Sequence, residues 1–577
     1  MKKLTRHRER FLIILMVLLA WVLRWTALMD VPPGWRDDDL VEVYTFSNEI
    51  LSSGIKLYYA EAWGQAPLYH IIRAPILAFG GVNQASVRWL SASCGTLAVL
   101  LTWAVGSRLF GRIVGLLAGT LSALSFWSLM YSRVAIRHIG ALPWMLLAIY
   151  WGWRLLHEDR RGPLAFSGVI LGTAGAMLTY YAGRLIPVLL AGMLILVKSS
   201  KIQRMRVIWA VLAGLALTIP TFATAYFTPG ADARVSELAT PILALLDGNP
   251  HPLLQTAWWT LGMFHAHGDP EYLYNIPFRP VFGPLTALLF AVSLLSQIYK
   301  LRNSNSILTL WWLLLGISPA LISLPESSLG HTILAQPAAM IVLAAVVTAA
   351  PQRWSKAVIP AGALLVLMVA IRDLPDYFVR WPQHAMVHFL YRGDYRAVAN
   401  YLDSQPEMTD AAVGTMLFGQ WDKVAVKTDI RRQDAHLRWV NPDRALLNRA
   451  TGSLVHYLQE ESTPVPVIQG ILDNAESVEA PPGLQGYLIA LPVPGIEAIR
   501  TDQKGTPLHD LLLNNSLVLE ALVPYRETAG TYIVLTWWRV AGTLPLPPEK
   551  LYPPPYGVYG GPRLSVFAQI LKNGEYV

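Results

Sequence analysis

Long runs without a single charged side chain constrain this sequence more than any other feature. Four of them, 113–132, 164–183, 207–231 and 280–299, each match the roughly 20 residues that a helix needs to cross roughly 30 Å of hydrocarbon. Burying an ionised side chain in mid-membrane costs about 2.5–3.5 kcal/mol on insertion scales, so the absence of charge is informative. Only 15% of the residues are charged, against about 25% in soluble domains. The chain is therefore expected to be a polytopic α-helical membrane protein.

Shorter hydrophobic segments bring the prediction to eleven membrane-spanning helices. They lie near residues 11–29, 87–107, 113–131, 139–156, 164–181, 185–197, 207–227, 280–299, 306–324, 333–350 and 357–371. The first is interpreted as a retained anchor, because no small-residue cleavage site of a signal peptide follows it. The single cysteine, Cys94, excludes a disulfide scaffold and a multi-cysteine metal cluster.

The basic residues between the spans predict the orientation of the chain. They gather before the first span and in the loops after the even-numbered spans, such as Arg108 and Arg112 after the second. By the positive-inside rule these loops are cytoplasmic, so the N-terminus lies inside and the C-terminal tail outside the cell membrane. The net charge of +8 is mostly explained by this topology, and no nucleic-acid partner is expected.

Two domains are expected, a membrane domain over 1–371 and an extracytoplasmic domain over 372–577. The membrane domain carries two long outer loops, 30–86 and 228–279. The tail of about 200 residues is long enough for one soluble domain, which we expect to be α/β or mainly β.

Three segments of the tail have a recognisable local pattern. The segment Gly393–Leu402 predicts a short helix. The segments Thr531–Val540 and Leu564–Leu571 predict strands, because β-branched and aromatic residues are frequent in them.

The first outer loop contains the most reactive pattern, Pro32-Pro33-Gly34-Trp35-Arg36-Asp37-Asp38-Asp39. Three adjacent carboxylates repel one another, which raises the proton affinity of at least one and suits a general base. The alternative is a solvated helix start, because aspartate is favoured at N-caps and in first turns. Further along the loop, Gly64 to His70 predicts a turn that leads into an interfacial helix, where Tyr69 and His70 are candidates for acceptor contact.

Arginines on the outer side form a second pattern. Arg133 and Arg137 follow the third span, and Arg184 lies in a short outer turn after Tyr180 and Tyr181. A guanidinium pairs with phosphate in a bidentate manner, so several of them favour a shared anionic ligand. The alternative for each is snorkelling to lipid headgroups. His331, in the last outer turn, contacts a ligand phosphate or caps a helix.

The loop segment His265-Ala266-His267-Gly268-Asp269 contains possible ligands for a divalent metal. His265 and His267 do not share a helical face at this spacing, so a metal site requires a strand or loop. The alternative is a polar loop that only packs. The sequence contains no Walker loop, dinucleotide fingerprint or nucleophile elbow, which favours a lipid-linked donor over a nucleotide for chemistry on the outer face.

The order of these features resembles the GT-C superfamily of integral membrane glycosyltransferases. Within it, the sequence is similar to the bacterial protein O-mannosyltransferase and aminoarabinose transferase branch, which is glycosyltransferase family 39-like. Six segments in about residues 1–350 carry the resemblance: Pro32-Pro33-Gly34 before Asp38-Asp39, Gly64 to Leu68, Ser132-Arg133 to Arg137, Tyr180 to Pro187, Gly268-Asp269 with Asn275-Ile276-Pro277, and Gly330-His331 to Pro337. The family usually has Asp-Glu where this chain has Asp38-Asp39. In the tail, Leu535 to Arg539 resembles a β-sandwich appended to some of these enzymes.

The resemblance implies an inverting transfer of one sugar from a polyprenyl-phosphate donor to a protein, lipid or glycan acceptor on the outer face. Asp38 is the implied base, since its spacing from Gly34 favours it over Asp39. The implied donor-phosphate ligands are Arg36, Arg133, Arg137, Arg184 and His331. Membrane lipids are further partners, because the lipid tail of the donor would lie between spans. No cofactor is required, and a divalent metal is optional.

Two other classes of protein stay open. In a lipid or glycan transporter the outer arginines and acids would line a path, although transporters usually place their site near the midplane, often between related halves. In a membrane-anchored binding protein the tail would be the working part.

Overall fold

The computed structural model of the chain describes most of its 577 residues. The described residues are 6–61, 64–158, 162–229, 231, 239–348, 357–414, 420–443, 445–447, 453–458, 462–480, 484, 486–492, 506–513, 517–528, 531–542, 571–572 and 575–576. The chain divides into two compact units, Met1–Tyr391 and Arg392–Val577.

In the described residues of the first unit the regular elements are helices, apart from one isolated bridge between Tyr59 and Gln65. Its α-helices are α1 (Arg6–Trp25), α2 (Asp37–Val41), α3 (Asn48–Ser53), α4 (Leu68–Gly80), α5 (Gln84–Phe110), α6 (Arg112–Leu124), α7 (Phe126–Ser132), α8 (Arg137–His157), α9 (Gly162–Met177), α10 (Ile186–Leu196), α11 (Lys201–Phe227), α12 (Thr240–Leu246), α13 (His251–Gly262), α14 (Pro284–Tyr299), α15 (Ser304–Leu321), α16 (Gln336–Ala344), α17 (Val358–Pro375) and α18 (Ala385–Leu390). Short 3₁₀ segments cover Tyr181–Leu185, Ile333–Ala335 and Ala345–Thr348, and π-helical turns cover Glu42–Ser47 and Asp376–Arg380.

The described helices agree in position with the eleven predicted spans. Five of them are long and apolar enough to cross a membrane, or six if the bent pair α6–α7 counts as one span. The five are Gln84–Phe110, Arg137–His157, Lys201–Phe227, Ser304–Leu321 and Val358–Arg380. Further apolar helices of 10–17 residues lie at other predicted positions, so the count of eleven stays a prediction. The last span continues to Arg380, beyond residue 371 where the predicted membrane domain ends.

The break between α6 and α7 is held by polar groups inside the apolar core. The two helices bend by 60° at Ser125. Arg24 of α1 is fully buried, and it donates hydrogen bonds to Ser128 and Ser132 of α7 and to the carbonyl oxygens of Ala123 and Ser122 at the break. Buried charges require such partners, since an unsatisfied ion in this environment costs several kcal/mol. The first helix is thereby fixed to the short helix α7.

The second unit contains helices and sheets. Its helices are α19 (Gly393–Ser404), α20 (Gln420–Asp429) and α21 (Pro466–Asp473), and its strands are β1 (Asp410–Gly414), β2 (His436–Val440), β3 (Ser453–Leu458), β4 (Glu476–Val478), β5 (Tyr487–Pro492), β6 (Thr506–Leu513), β7 (Leu517–Thr528), β8 (Thr531–Val540), β9 (Leu571–Lys572) and β10 (Glu575–Tyr576). Strands β1 to β5 form a mixed sheet in the order β2-β1-β3-β5-β4, with β1 parallel to β2 and β3. Strands β6 to β8 form an antiparallel sheet, and β9 pairs with β10.

Two of the local predictions for the tail are confirmed. A helix begins at Gly393, and Thr531–Val540 is strand β8. Of the predicted strand Leu564–Leu571 only Leu571 is described, and the remainder lies outside the described residues. The expected β-sandwich character of the tail stays a prediction.

Candidate active site

The three acids of the first outer loop share a helical turn but differ in exposure. They form the first turn of α2, where the helix dipole stabilises negative charge. Asp37 is exposed, the Asp38 side chain is 37% exposed, and Asp39 is fully buried. The structure is therefore compatible with both interpretations of the acidic run. The acids begin a helix, and one of them, Asp38, is a partly accessible carboxylate that could act as a general base.

Asp39 is enclosed by donors from three parts of the chain, the nearest in sequence being the backbone N–H of Arg36, which lies 3.4 Å from Oδ2. The guanidinium of Arg88 in α5 donates to its Oδ2 through Nη2 at 2.9 Å and Nε at 3.3 Å. The backbone N–H of Ala135 donates to Oδ1 at 2.8 Å. The same Arg88 also donates to the carbonyl oxygens of Pro32 and Gly34, which explains why the Pro-Pro-Gly approach is held against α5. A carboxylate with all these partners and no exposure is suited to holding the loop in place.

Asp38 has a different environment. Its Oδ2 lies 2.9 Å from Nη2 of Arg36. Desolvation by the surrounding protein raises the pKa of the Asp38 carboxyl, an effect that Arg36 and Arg137 oppose and that Asp37 strengthens. A partly accessible carboxylate with a raised pKa can accept a proton from a hydroxyl. Of the two predicted catalytic acids, Asp38 is thus the one that a substrate can reach.

Arg36 is held in turn by an aromatic stack. Its Nη2 donates to the hydroxyl of Tyr274, and its guanidinium lies 4.3 Å from the centre of that ring. Tyr274 stacks on Tyr131 of α7, with ring centres 5.4 Å apart and planes 5° from parallel. The Arg36 side chain is only 9% exposed, and its Nη1 has no hydrogen-bond partner among the described residues. This cation is therefore desolvated, oriented and still able to donate to a further group.

Two more of the predicted arginines lie near the same aromatic ring. Arg137 lies 5.9 Å from the centre of the Tyr181 ring and Arg184 lies 4.6 Å from it, while Arg184 also contacts the Phe222 ring at 4.8 Å. Within the described part of the chain neither arginine forms an ion pair with a carboxylate. Their charges are therefore available to an anion.

The Gly64 segment meets the same tyrosine. The hydroxyl of Tyr181 donates to the carbonyl oxygen of Gly64 at 3.0 Å, and the hydroxyl of Tyr58 lies 3.4 Å from that of Tyr181. Gly64 has a positive φ of 78°, and a Cβ there would lie 2.0 Å from the Tyr58 hydroxyl, so a side chain does not fit. Three segments that are far apart in the sequence, those of Gly64, Arg137 and Tyr181, are thus brought together.

Arg133 is not placed like the other predicted phosphate ligands. Its side chain is fully buried, and it donates to the carbonyl oxygens of Leu23, Thr26, Ala27 and Val31 at the end of α1. These carbonyls form the negative end of a helix dipole and its following turn, which a cation stabilises. The geometry therefore favours a structural role for Arg133 over phosphate binding, because both terminal nitrogens already donate to these carbonyls and only the buried Nε has no hydrogen-bond partner among the described residues.

Tyr69 and His70 face the protein interior. The Tyr69 hydroxyl lies 2.6 Å from the Ser91 hydroxyl and accepts from Arg73. His70 is fully buried, its Nδ1 lies 2.9 Å from a carboxylate oxygen of Glu42, and its ring stacks on Phe46 at 4.0 Å. Since neither side chain is exposed, the geometry does not favour the predicted contact with an acceptor.

The predicted metal ligands of the third outer loop do not converge. Among the described residues no three His, Cys, Asp or Glu side chains are grouped to hold a metal ion. The His267 ring packs on Trp259, at 3.8 Å, and Asp269 is buried, accepting from the backbone N–H of Leu329 at 2.9 Å. Burial raises the pKa of Asp269 to about 7, although backbone hydrogen bonds oppose the shift. The geometry therefore does not favour His265, His267 and Asp269 as a ligand set, because the Asp269 carboxylate joins two outer loops.

The last outer turn lies beside the aromatic stack. Nδ1 of His331 lies 3.0 Å from the Ser323 hydroxyl, and the ring is half-buried. A Cβ on Gly330 would approach the Tyr131 hydroxyl to 2.8 Å, so this turn closes over the ring that stacks on Tyr274. His331 is therefore placed near the site without a contact that assigns it a role.

Sequence reasoning missed Tyr131, Tyr274 and Arg88. Tyr274 directly precedes the quoted Asn275-Ile276-Pro277 segment, which was the available signal. Tyr131 and Arg88 lie inside apolar helices, where no local pattern distinguishes a site residue from a core residue.

Residues 64–224 match the family model of dolichyl-phosphate-mannose-protein mannosyltransferases. This stretch contains three of the six segments that carried the resemblance: Gly64 to Leu68, Ser132 to Arg137, and Tyr180 to Pro187. No curated protein sequence matches the chain significantly.

Solved structures with a similar fold include three glycosyltransferases. ArnT from Cupriavidus metallidurans bound to undecaprenyl phosphate has a TM-score of 0.46 and 13% identity over 84% of this chain and 98% of its own. The apo oligosaccharyltransferase of Archaeoglobus fulgidus has a TM-score of 0.45 and 13% identity over 75% of this chain and 65% of its own. The protein O-mannosyltransferase Pmt1-Pmt2 complex of S. cerevisiae, bound to the sugar donor, has a TM-score of 0.32 and 18% identity over 39% of this chain and 34% of its own.

The chain spans about 65% of the length of the archaeal oligosaccharyltransferase. Several apolar helices place the protein in a membrane. Over residues 64–224, less than half of its length, the chain is similar to the dolichyl-phosphate-mannose-protein mannosyltransferase family.

Proposed function

We propose that this protein transfers one sugar from a polyprenyl-phosphate donor to an acceptor hydroxyl on the extracytoplasmic face of the cell membrane, with inversion. The single observation that carries the proposal is the contrast between Asp38 and Asp39. Asp38 is partly exposed beside a buried arginine, whereas Asp39 is sealed in the core. The description of the matching family, which names a dolichyl-phosphate sugar, supports the donor class.

In the proposed reaction Asp38 is the general base. It takes the proton of the acceptor hydroxyl as that oxygen attacks the anomeric carbon from the face opposite the phosphate. The bond between the anomeric carbon and the phosphate oxygen breaks, and its electron pair leaves with the polyprenyl phosphate. The opposed faces of attack and departure invert the configuration of the anomeric carbon.

Arginines neutralise the charge of the leaving phosphate. Preoriented cations in a site that partly excludes water stabilise such a charge without reorganisation. Arg137 and Arg184 are the candidates, because both lie near the Tyr181 ring and neither has a carboxylate partner among the described residues. Arg36 orients the base and contributes positive charge through its buried Nη1. This scheme uses no metal ion.

The donor and acceptor classes are part of the proposal. The donor is a polyprenyl phosphate that carries one sugar, and the acceptor is a protein, lipid or glycan hydroxyl. The cytoplasmic N-terminus and the extracytoplasmic position of the chain after the last span, which ends at Arg380, are proposed from the distribution of basic residues.

The proposal is tested with the purified full chain in lipid vesicles. A panel of polyprenyl-phosphate sugars is offered with a mixed acceptor extract, and release of polyprenyl phosphate is measured. Wild type is expected to release it, and Asp38→Asn is not. If both proteins instead carried labelled lipid across the bilayer unchanged, the protein would be a transporter and the proposal wrong.

A further inference from the structure

An ion-pair cluster lies outside the residues that the reaction uses. Arg279, in the outer segment before α14, donates through Nη2 to Asp373 at 2.5 Å and through Nε to Asp376 at 2.7 Å. All three side chains are at most 8% exposed. Asp373 belongs to α17 and Asp376 to the π-helical turn that continues it. One arginine therefore connects a loop to the end of the last span of the first unit.

The same Asp373 also holds the broken helix. Its Oδ2 accepts from the backbone N–H of Phe126 at 2.9 Å, which is the first residue of α7. The Arg279 guanidinium lies 4.6 Å from the centre of the Phe126 ring. The Asp373 carboxylate thus fixes both the start of α7 and the Arg279 side chain.

The loop between Asp269 and Arg279 is fixed at its other end as well. The side-chain amide of Asn275 is buried and donates to the carbonyl oxygens of Asp269 and Arg279. Tyr274 directly precedes Asn275, and the hydroxyl of Tyr391 donates to the carbonyl oxygen of Leu273 at 2.7 Å. The position of the Tyr274 ring is therefore set by a loop that Arg279 closes.

The two elements held by the cluster carry the two rings that stack. Tyr131 is on α7, Tyr274 is on the loop, and Tyr274 binds the guanidinium that lies against Asp38. A shift of either element separates the rings or moves Arg36.

We propose that Arg279, Asp373 and Asp376 form a positioning clamp that sets the place of Arg36, and through it of the base Asp38. This inference rests on the proposed function. Arg279 does not touch the reacting groups in this arrangement; it fixes two elements relative to each other. The planar fork of arginine suits this task, because it binds two carboxylates at fixed angles, whereas lysine is a single mobile charge.

The expected effect is on turnover. A displacement of about 1 Å in a catalytic group can cost roughly a hundredfold in rate. Arg279→Gln is therefore expected to lower kcat about a hundredfold with little change in the KM for the donor. Arg279→Lys is expected to recover only part of that loss. Arg380→Gln is the matched control, since Arg380 pairs with the same Asp376 but its side chain is 72% exposed, and it is expected to keep wild-type kcat.

Two readouts distinguish positioning from a merely structural role. The first is the pH profile of kcat/KM. The charges that face Asp38 are Arg36, Asp37, Arg137 and Asp39. If Arg36 moves away, the remaining acids raise the proton affinity of Asp38, so the acid limb moves to higher pH. Loss of folded protein would instead scale the profile without moving it.

The second readout needs no turnover. The full chain carrying 3-fluorotyrosine in place of Tyr274 is prepared in wild-type, Arg279→Gln, Asp373→Asn and Arg380→Gln backgrounds. The ¹⁹F resonance is expected to move or broaden in Arg279→Gln and Asp373→Asn and to stay at the wild-type position in the Arg380→Gln protein. Asp373→Asn serves where Arg279→Gln fails to fold, because asparagine retains an acceptor for the Phe126 N–H.

The outcomes separate the two proposals. An unmoved ¹⁹F resonance in Arg279→Gln or Asp373→Asn, or a wild-type kcat and pH profile there, overturns the clamp. A wild-type protein that transfers no sugar overturns the proposed function, while the ¹⁹F resonance still decides whether the cluster sets the position of Tyr274.

Discussion

Nη2 of Arg88 lies 2.9 Å from Oδ2 of Asp39, and both side chains are completely buried. One residue earlier in the chain, Asp38 is 37% exposed and pairs with Arg36. Two adjacent aspartates thus have different environments, since Asp39 fixes the loop to α5 and Asp38 keeps an accessible carboxylate, as the proposed general base requires. The helical turn produces this separation, because successive side chains point about 100° apart around the axis.

Replacing Asp39 should therefore lower the stability of the protein, whereas replacing Asp38 should lower its turnover. Asp39→Asn leaves the Arg88 charge buried without its counter-ion, so we expect a loss of roughly 3–5 kcal/mol in the free energy of unfolding. Asp38→Asn should keep wild-type thermal stability and lose turnover by at least about a hundredfold, the usual contribution of a general base. Thermal unfolding and polyprenyl phosphate release, measured on the same detergent-solubilised samples, check both. Full turnover in Asp38→Asn together with none in a folded Asp39→Asn protein would reverse the assignment.

Among the three outer arginines, Arg137 and Arg184 should affect catalysis, whereas Arg133 should affect stability. Arg137→Gln and Arg184→Gln are each expected to cost roughly 1.5–3 kcal/mol in kcat/KM, the range for hydrogen bonds to charged groups, with stability unchanged. Arg133→Gln should instead lower the unfolding temperature, because four carbonyl oxygens lose their donor. Donor titrations and thermal unfolding separate the two effects. A stable Arg133→Gln protein with weakened donor binding would restore Arg133 as a phosphate ligand.

The activity should depend on pH through Asp38. A general base acts only when deprotonated, so kcat/KM falls as the pH drops through the pKa of the base. Burial raises the pKa of Asp38, and the fall should therefore occur above the ordinary aspartate value of about 3.9. Arg36 opposes this shift, so Arg36→Gln should move the fall to still higher pH, and Arg36→Lys should move it less. A fall at lower pH in Arg36→Gln than in wild type would contradict the assigned pairing.

The stability of the outer loops should depend on pH through Asp269. Burial raises the pKa of Asp269 from 3.8 to about 7 in the folded protein. Between these values the folded state binds a proton that the unfolded state has released, so the free energy of unfolding falls as the pH rises through this window. The expected slope is about 1.4 kcal/mol per pH unit, and it ends above the folded pKa. Thermal unfolding of wild type and Asp269→Asn across this window measures it, and an equal slope in both proteins would exclude Asp269 as its source.

The resemblance in the sequence pointed to segments that the structure partly brings together, those of Gly64, Arg137 and Tyr181. The acids of α2, the Gly64 turn and the Arg137 and Arg184 positions were all predicted, because each has a local pattern of residues at an outer membrane boundary. Local pattern could not separate Arg133 from Arg137, four residues apart. Their difference depends on α1, whose carbonyl oxygens are within reach of only one of them.

The sequence by itself determined that this chain is a helical membrane protein, roughly where its long apolar helices lie, and which outer loops carry clustered charged residues. These properties depend on the energy of placing individual side chains in hydrocarbon, which is a local quantity. Only the tertiary structure decided which polar side chains are bound by other parts of the protein and which remain accessible to a ligand. Asp39 binds Arg88, Arg133 binds carbonyl oxygens at the end of α1, and Asp269 binds the backbone N–H of Leu329. These hydrogen bonds join residues 49 to 110 positions apart. Whether a buried polar group has a hydrogen-bond partner depends on how distant segments pack together, so it cannot be read from any single segment.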